Sequence, residues 1–224
     1  MKKVRPHNSK NKNRVVIVED HPMFRERLGQ LIEKAEDMLV VGEADNIRDG
    51  LSVIQRLKPN IAIIDISLKG SNGLELLKNL RAHDITLPVL VLSMHDESLY
   101  AERALRAGAK GYITKHEVSG NVMNAIRQVL KGEIYLNSQF MARIMNKIVA
   151  GRDASMEPID RLADRELEVF ELIGRGLTSR EIGAQLRLGI TTVDTYRTRI
   201  KEKLKLANSA KLRLEASRWV QQRE

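Results

Sequence analysis

The segment Ile61-Ala62-Ile63-Ile64-Asp65 constrains the fold most strongly, because a run of apolar residues ends abruptly in a carboxylate. Turn-forming residues flank this segment on both sides, at 58–60 and 69–73. A short apolar run bounded by turns and rich in β-branched residues is typical of a buried strand. In open α/β sheets, ligands bind at the carboxyl ends of the strands. The pattern therefore predicts that Asp65 lies at a ligand-binding edge of a sheet.

Two further apolar runs end in polar side chains in the same way. The first leads into Glu19 and Asp20, and the second ends at Ser93. Parallel strands place their carboxyl ends along one edge of a sheet. We therefore expect Glu19, Asp20, Asp65 and Ser93 to line one cleft.

Short apolar runs alternate with amphipathic segments across residues 14–136, which indicates βα units and a parallel sheet. Strands are predicted at 15–19, 38–43, 61–65, 88–93 and 110–114. Helices are predicted at 21–35, 46–57, 72–81, 98–107 and 118–131, each with apolar residues three and four positions apart. Five strands and five helices in alternation predict an α/β fold, a flavodoxin-like doubly wound (βα)5 domain.

The rest of the chain is expected to be organised around this domain. With 224 residues, 42% of them hydrophobic, the chain has material for two small cores. Residues 1–13 hold five basic side chains and no acidic one, which predicts a flexible basic tail. Residues 137–158 lose the alternation and are interpreted as a linker helix running into a linker. Residues 159–224 are expected to form a small all-α domain.

Composition limits the possible functions. The chain has no cysteine, which excludes disulfides, thiolate zinc sites and a cysteine nucleophile, and which fits the cytoplasm. It has no apolar run of the roughly 20 residues that span a bilayer and no signal peptide, so a cytoplasmic protein without a membrane partner is predicted. The net charge of +9 favours a polyanionic partner, although charge alone does not distinguish DNA from RNA or a membrane surface.

The C-terminal domain carries signals for three successive helices. An amphipathic helix is predicted at 162–173, ended by Gly174-Arg175-Gly176, because glycine adopts the left-handed conformation of a helix C-cap. Thr178 with Glu181 three residues later is a capping box, which starts a short second helix. A third helix is predicted to begin at Thr191 or Thr192 and to run through Leu204. Two helices joined by a short turn with glycine are a helix-turn-helix candidate.

The predicted cleft has the chemistry of a phosphoryl site. Glu19, Asp20 and Asp65 supply hard oxygen donors of the kind that Mg²⁺ prefers. Asp65 can act as a nucleophile toward a phosphoryl group. Lys115, at the end of the last predicted strand, can neutralise a phosphoryl oxygen, and Ser93 can donate a hydrogen bond to another.

These residues resemble the receiver domain of two-component response regulators. The resemblance is carried by the acids Glu19, Asp20 and Asp65, by Ser93 and Lys115, and by Gly73 and residues 108–112. It implies that Asp65 accepts phosphate from a histidine kinase and that the three acids, with the backbone carbonyl of Ser67, bind Mg²⁺. It also implies that Ser93 and Tyr112 reorient on phosphorylation while Lys115 contacts the phosphoryl group.

The C-terminal helices resemble the LuxR/NarL helix-turn-helix, including the pairs Glu181-Ile182 and Thr192-Val193. On a helical wheel one face holds Val193, Arg197, Ile200 and Leu204, and the opposite face, expected to enter the major groove, holds Thr191, Asp194, Thr195 and Thr198. The predicted DNA-binding residues are Thr178, Thr191, Thr192, Asp194, Thr195, Tyr196, Arg197, Thr198, Arg199, Lys201 and Lys203.

The chain departs from both family patterns. Leu68-Lys69 and His116 stand where receiver domains commonly have other residues, which predicts changes in the loop beside Asp65 and in the support of Lys115. Asp194 stands where lysine is common. One hypothesis is that Asp194 accepts a hydrogen bond from cytosine, with Arg197, Arg199, Lys201 and Lys203 on phosphates; the alternative is that it lies only at the groove edge. Trp219 is expected to serve packing or a dimer contact.

Together these observations predict a DNA-binding transcriptional response regulator of the NarL/LuxR (FixJ-like) type. Its expected partners are a histidine kinase or another phosphotransfer donor, double-stranded DNA and a second copy of itself. The only expected enzymatic activity is Mg²⁺-dependent self-phosphorylation and slow autodephosphorylation at Asp65. An alternative is a phosphorylation-independent regulator whose receiver is an interaction module. A phosphoaspartyl hydrolase or transferase that acts on small substrates is disfavoured, because Ser67 occupies the position, two residues after Asp65, of the acid that such enzymes usually need.

Overall fold

A computed structural model describes residues 12–68, 70–94, 97–138, 140–142 and 158–222. The chain forms two compact units, an N-terminal α/β unit and a C-terminal helical unit. Most of the predicted basic tail and of the predicted linker lies outside the described residues.

The N-terminal unit alternates strands and helices. The strands of the described chain are β1 (Asn13–Val18), β2 (Met38–Ala44), β3 (Ile61–Asp65), β4 (Ser67–Leu68), β5 (Ser71–Asn72), β6 (Val89–Ser93) and β7 (Gly111–Thr114). The helices of the N-terminal unit are α1 (Pro22–Glu33), α2 (Ile47–Leu57), α3 (Gly73–Ala82), α4 (Glu97–Ala107) and α5 (Val118–Leu130). The five longer strands form one parallel sheet in the order β2-β1-β3-β6-β7.

The predicted doubly wound fold is confirmed. All five predicted strands and all five predicted helices are present, with ends within two residues of the expected positions. Strands β4 and β5 were not predicted, because two residues are too few to show an alternating pattern. The strand order reverses direction between β1 and β3, and this is the point at which open α/β sheets bind ligands.

The core of this unit lies on both faces of the sheet. Alternate residues of the central strands, such as Ile61 and Ile63 in β3, pack with Ile126 of α5 in one cluster. The intervening residues Ala62 and Ile64 are buried as well. Burial on both faces explains why these strands appear in the sequence as continuous apolar runs rather than as alternating ones.

In the C-terminal part of the described chain, residues Pro158–Arg161 form a 3₁₀ turn. Four helices follow, α6 (Asp164–Gly174), α7 (Ser179–Leu186), α8 (Ile190–Lys203) and α9 (Ser209–Gln221). The rings of Phe170 in α6 and Trp219 in α9 meet edge to face, with centroids 5.5 Å apart, which confirms the packing expected of Trp219.

The helix ends agree with the sequence signals at two of three places. Gly176 has φ +87°, the left-handed conformation predicted for the end of α6. Thr178 and Glu181 form the predicted capping box. The third helix was predicted to begin at Thr191 or Thr192, and this was wrong, because it begins at Ile190 with Gly189 as N-cap. Gly189 has no side chain that could mark the cap in the sequence. Within the described residues, none of the helices has the length and apolar character needed to cross a bilayer.

Candidate phosphoryl site and recognition helix

The carboxyl ends of four parallel strands bring the predicted cleft residues together. Glu19 follows β1, Asp65 ends β3, Ser93 ends β6 and Lys115 follows β7. Glu19, Asp65 and Ser93 are fully buried. The Lys115 ammonium lies 2.6 Å from Glu19 Oε2 and 2.9 Å from Asp65 Oδ2. A lysine and two carboxylates therefore form a buried ionic cluster at this edge of the sheet.

The acids of this cluster have the arrangement of a cation site. Glu19, Asp20, His21 and Asp65 each offer one ligand atom, and these atoms all lie within 4.8 Å of one another. Asp65 Oδ1 is buried and has no hydrogen-bond partner in the described parts of the chain. A buried carboxylate oxygen in that state favours a bound cation, and carboxylate oxygens suit Mg²⁺. The residues present therefore fit Mg²⁺.

His21 is a member of this group that was not predicted. Its Nδ1 lies 3.0 Å from Glu19 Oε1 and 2.8 Å from Asp20 Oδ1, and its backbone N–H donates to Glu19 Oε1 at 2.9 Å. The ring is about half exposed. The position directly after two acids is visible in the sequence, but the contact depends on the backbone turn that starts α1.

Burial perturbs the carboxyl group of Asp65. Removal from water, followed by the nearby charge of Glu19, raises the pKa of Asp65 to about 6. The Lys115 ammonium and a hydrogen bond from the backbone of Ser67 act in the opposite direction. Burial also disfavours the Lys115 ammonium, but Asp65 and Glu19 outweigh it and raise the pKa of Lys115 above its usual value. Across the neutral range the site thus holds a positive charge on Lys115 beside Asp65.

Gly73 permits a close approach of the backbone to this site. A Cβ atom at Gly73 would lie 1.9 Å from the backbone carbonyl oxygen of Asp65. The Gly73 N–H donates to the Ile66 carbonyl at 2.6 Å, so the start of α3 is tied to the residue after Asp65. Only glycine fits at this point without moving the main chain of Asp65.

The loop that carries Lys115 is held by hydrogen bonds at both ends. The backbone N–H of Lys115 donates to the Ser93 carbonyl at 2.7 Å, and this bond joins the ends of β6 and β7. Glu117 Oε2 accepts from Thr114 Oγ1 at 2.8 Å and from the Thr114 N–H at 3.3 Å. Both hydrogen bonds run from Thr114 to the carboxylate of Glu117, across the T-x-x-E sequence at 114–117. We did not predict Thr114 and Glu117 as support for Lys115.

The remaining receiver residues have defined positions. Tyr112 is buried in β7, on the strand next to the one that ends at Ser93. Ser67 begins β4, two residues after Asp65. Of the two departures from the family pattern, Lys69 lies outside the described residues and His116 is exposed. The proposed movements of Ser93 and Tyr112 stay predictions.

Helix α8 separates the two predicted faces of the recognition helix. Val193 and Ile200 are fully buried. The residues of the opposite face are exposed, namely Thr191, Asp194, Thr195 and Thr198. Arg197 and Leu204, which were expected on the inner face, are half-buried. A row of short polar side chains is therefore available to a partner along one side of α8.

Asp194 has a partner that was not predicted. Ser179 Oγ, in the first turn of α7, donates to Asp194 Oδ1 at 2.8 Å. The start of a helix is electropositive and favours a nearby carboxylate. A carboxylate has two acceptor oxygens, so the second oxygen of Asp194 can accept a hydrogen bond from another donor. Thr178 and Ser179 are adjacent, but only Thr178 was predicted, because its capping signature spans four residues and the Ser179 contact spans fifteen.

The basic residues of α8 that were predicted to contact phosphate differ in their partners and in their exposure. Lys203 donates to Glu166 Oε2 at 2.6 Å, which links α8 to α6. Burial, together with the charge of Arg213, lowers the pKa of Arg197 from its usual value. Arg199 is exposed and Lys201 is half-buried. Arg199 is therefore the basic residue of α8 that is best presented to a polyanion.

A doubly wound domain with three acids and a lysine at its strand ends, followed by a helix-turn-helix, defines the class of DNA-binding two-component response regulators. Two family models match this chain in that order. The response regulator receiver domain matches residues 15–127, and the luxR family of bacterial regulatory proteins matches residues 160–216. The chain belongs to the LuxR-type response regulators.

The chain is similar to proteins named as transcription regulators or response regulators. The virulence-factor regulator BvgA of Bordetella pertussis is 36% identical over 200 residues, which is 89% of this chain and 94% of BvgA. The nitrate/nitrite response regulator NarL of Escherichia coli K12 is 31% identical over 208 residues, covering 93% and 94% of the two chains. RcsB of Salmonella enterica serovar Typhimurium, solved on the rprA promoter with the phosphomimetic BeF₃⁻, aligns with TM-score 0.59 and 25% identity over 92% of this chain and 99% of RcsB.

Proposed function

We propose that this chain is a transcription regulator whose binding to DNA is switched by phosphorylation of Asp65, with a histidine kinase or another phosphotransfer donor as the source. The observation that carries this proposal is the state of Asp65. It is fully buried, its Oδ1 has no hydrogen-bond partner in the described residues, and a lysine lies 2.9 Å from its Oδ2. Such a carboxylate is poised to bind an electrophilic group and a cation.

The chain's own residues suit phosphoryl transfer. An Asp65 oxygen forms the new bond to phosphorus while the bond from phosphorus to the donor's leaving group breaks and its electron pair departs with that group. Lys115 neutralises one phosphoryl oxygen and the hydroxyl of Ser93 donates to another. When bound, Mg²⁺ offsets the negative charge of the carboxylates and the phosphoryl group. Glu19, Asp20, Asp65 and the backbone carbonyl of Ser67 are the proposed ligands.

Phosphorylation would change the charge and hydrogen bonding at the ends of β6 and β7. Ser93 and Tyr112 lie on these neighbouring strands and are both buried. Movement of Ser93 toward the phosphoryl group leaves space that Tyr112 can fill, and this carries the change to the outer face of β7. We propose that the altered face favours a homodimer, which pairs two recognition helices on half-sites about one helical turn apart.

The exposed face of α8 supports recognition of double-stranded DNA. Its threonines and Asp194 are suited to base edges, and Arg199 to phosphate. The net charge of +9 supports the electrostatic part of binding. RcsB, which is similar over nearly its whole length, binds a promoter in the presence of a phosphomimetic. Since DNA is the proposed target, the proposed location is the cytoplasm.

This proposal is tested by following binding to a selected DNA duplex with and without beryllofluoride and Mg²⁺. We expect beryllofluoride to tighten binding of the wild type at least about tenfold, which corresponds to a coupling free energy of about 1.4 kcal/mol. Asp65→Asn should bind with the weaker affinity under both conditions. Equal affinity with and without beryllofluoride in the wild type would contradict the switch.

From the Ser179–Asp194 contact we make a separate prediction about which base pairs in the DNA half-site the protein prefers. If Asp194 reads a base, then Asp194→Ser should relax the preference at one base pair of the half-site by about 1–3 kcal/mol, and Ser179→Ala should do so in part. Asp194→Lys should raise affinity for random DNA, because it replaces a negative charge with a positive one. Selection from a random duplex library measures the preference. An unchanged preference in Asp194→Ser would place Asp194 at the groove edge only.

A further inference from the structure

Three groups surround the ammonium of Lys115. Two are the carboxylates of Glu19 and Asp65, and the third is the aromatic ring of Phe24, whose centroid lies 4.7 Å from Lys115 Nζ. The Lys115 side chain is only 5% exposed. An ammonium has three N–H donors, and each carboxylate oxygen accepts one. The face of the Phe24 ring carries the partial negative charge that can satisfy the remaining one.

We propose that Phe24 is a positioning residue that holds the Lys115 ammonium at the phosphoryl site of Asp65 through the face of its ring. This inference rests on the proposed phosphorylation of Asp65. Phe24 lies in the first turn of α1, only four residues after Asp20. The ring is therefore attached to the same segment that supplies two of the acids, and it moves with them.

Phosphorylation should change the availability of Asp65 and Glu19 to the Lys115 ammonium, but not that of Phe24. Asp65 Oδ2 and Glu19 Oε2 lie in the region where the phosphoryl group and the cation are proposed to bind, so their availability to Lys115 changes. The apolar ring is not itself a ligand of the phosphoryl group or of the cation. It offers Lys115 the same attraction before and after transfer, which lowers the entropy lost when a long side chain is fixed against the phosphoryl oxygen.

A cavity beside Lys115 explains why a positioning residue is needed to keep the ammonium at Asp65. Phe24, Lys115 and His116 line a cavity of about 240 Å³ between α1 and the start of α5. The Thr114–Glu117 hydrogen bonds hold the main chain of the loop but make no contact with the four-carbon stem of Lys115. A smaller side chain at position 24 would open the site toward this cavity and let the ammonium turn away from Asp65.

The test compares Phe24→Leu, which keeps an apolar side chain but removes the ring, with Phe24→Tyr, which keeps the ring. Binding of beryllofluoride to the full chain is measured by calorimetry at saturating Mg²⁺. We expect Phe24→Leu to bind beryllofluoride about threefold to tenfold more weakly than the wild type, and Phe24→Tyr to remain within about twofold of it. The half-saturating Mg²⁺ concentration without beryllofluoride should change by less than about twofold in both variants, because neither alters a carboxylate.

A spectroscopic measurement reports the contact itself. In the full chain with ¹³C-labelled lysine, ring current should shift the ε-methylene protons of Lys115 upfield in the wild type and in Phe24→Tyr, and this shift should disappear in Phe24→Leu. Equal beryllofluoride affinity in Phe24→Leu and the wild type would overturn the inference, as would equal weakening in both variants, which would indicate packing alone. Failure of the wild type to bind beryllofluoride would instead overturn the proposed phosphorylation, and the role of Phe24 with it.

Discussion

Gly73→Ala is expected to destabilise the α/β unit by about 3 kcal/mol or more and to abolish phosphorylation of Asp65. The added Cβ would lie 1.9 Å from the Asp65 carbonyl oxygen and 2.9 Å from its carbonyl carbon, and both are backbone atoms. No side-chain rotation can relieve that overlap, so the end of β3 or the start of α3 must move. Either movement displaces Asp65. Urea unfolding and labelling with acetyl phosphate measure the two effects.

Gly120→Ala is the matched control for this variant. Gly120 lies inside α5, and nothing lies within 4 Å of the position that its Cβ would occupy. Alanine has a higher helix propensity than glycine, so this change should stabilise the protein by about 0.5–1 kcal/mol and leave phosphorylation unchanged. If Gly73→Ala behaved like Gly120→Ala, the close approach of α3 to Asp65 would be wrong.

Lys115→Met is expected to have the second largest effect, a loss of about 3–5 kcal/mol of stability at pH 7.5 in the absence of Mg²⁺. Methionine keeps the length of the stem but removes the ammonium between Glu19 and Asp65, which leaves two buried carboxylates without their counter-charge. The raised pKa of Lys115 means that its stabilising charge is fully present below pH 10.5, so the loss is measurable across the neutral range. The loss should shrink in acid, where Asp65 takes up a proton.

Asp65→Asn should change the free energy of unfolding in the opposite direction to Lys115→Met, and it therefore serves as the control for that variant. The pKa of Asp65 is raised to about 6, above the value of 3.8 of an unperturbed carboxyl group, so ionisation of this group costs stability in the folded state. Above pH 6 that cost amounts to about 1–3 kcal/mol, and it disappears as the pH falls from 6 toward 4. We expect Asp65→Asn to raise the free energy of unfolding at pH 8 in EDTA but not at pH 4.5. Destabilisation at pH 8 would contradict the account of the buried cluster.

The sequence predicts the sheet and its edge because these depend on local patterns. The run from Ile61 to Asp65 shows both the strand and its polar end, and the same holds for the strands that end at Glu19 and Ser93. The supporting contacts are harder to predict because they join residues distant in the chain. Phe24 lies 91 positions before Lys115, and no spacing rule relates them. The strand pattern predicts which residues lie at the shared edge of the sheet. Side-chain packing, which the pattern does not encode, decides which ring or hydroxyl reaches the site.

The helix-turn-helix shows the same limit. The caps at Thr178 and Gly176 follow from signatures of a few residues, and both were predicted. The start of α8 at Ile190 was missed, because Gly189 caps the helix with its backbone alone. The contact between Ser179 and Asp194 depends on the angle at which α7 and α8 pack, which no pattern in either helix encodes. Membership of the LuxR-type response regulators was predicted correctly, because it rests on motifs whose order and spacing are local.

The most direct test of the central claim is phosphoryl incorporation from acetyl phosphate with and without Mg²⁺, in the wild type and in Asp65→Asn, with oligomeric state followed by light scattering. We expect labelling of the wild type that requires Mg²⁺, is absent in Asp65→Asn and increases association. Labelling that persists in Asp65→Asn would place the phosphoryl group on another residue. The absence of labelling in the wild type would contradict the phosphorylated switch and favour a receiver that regulates through interaction alone.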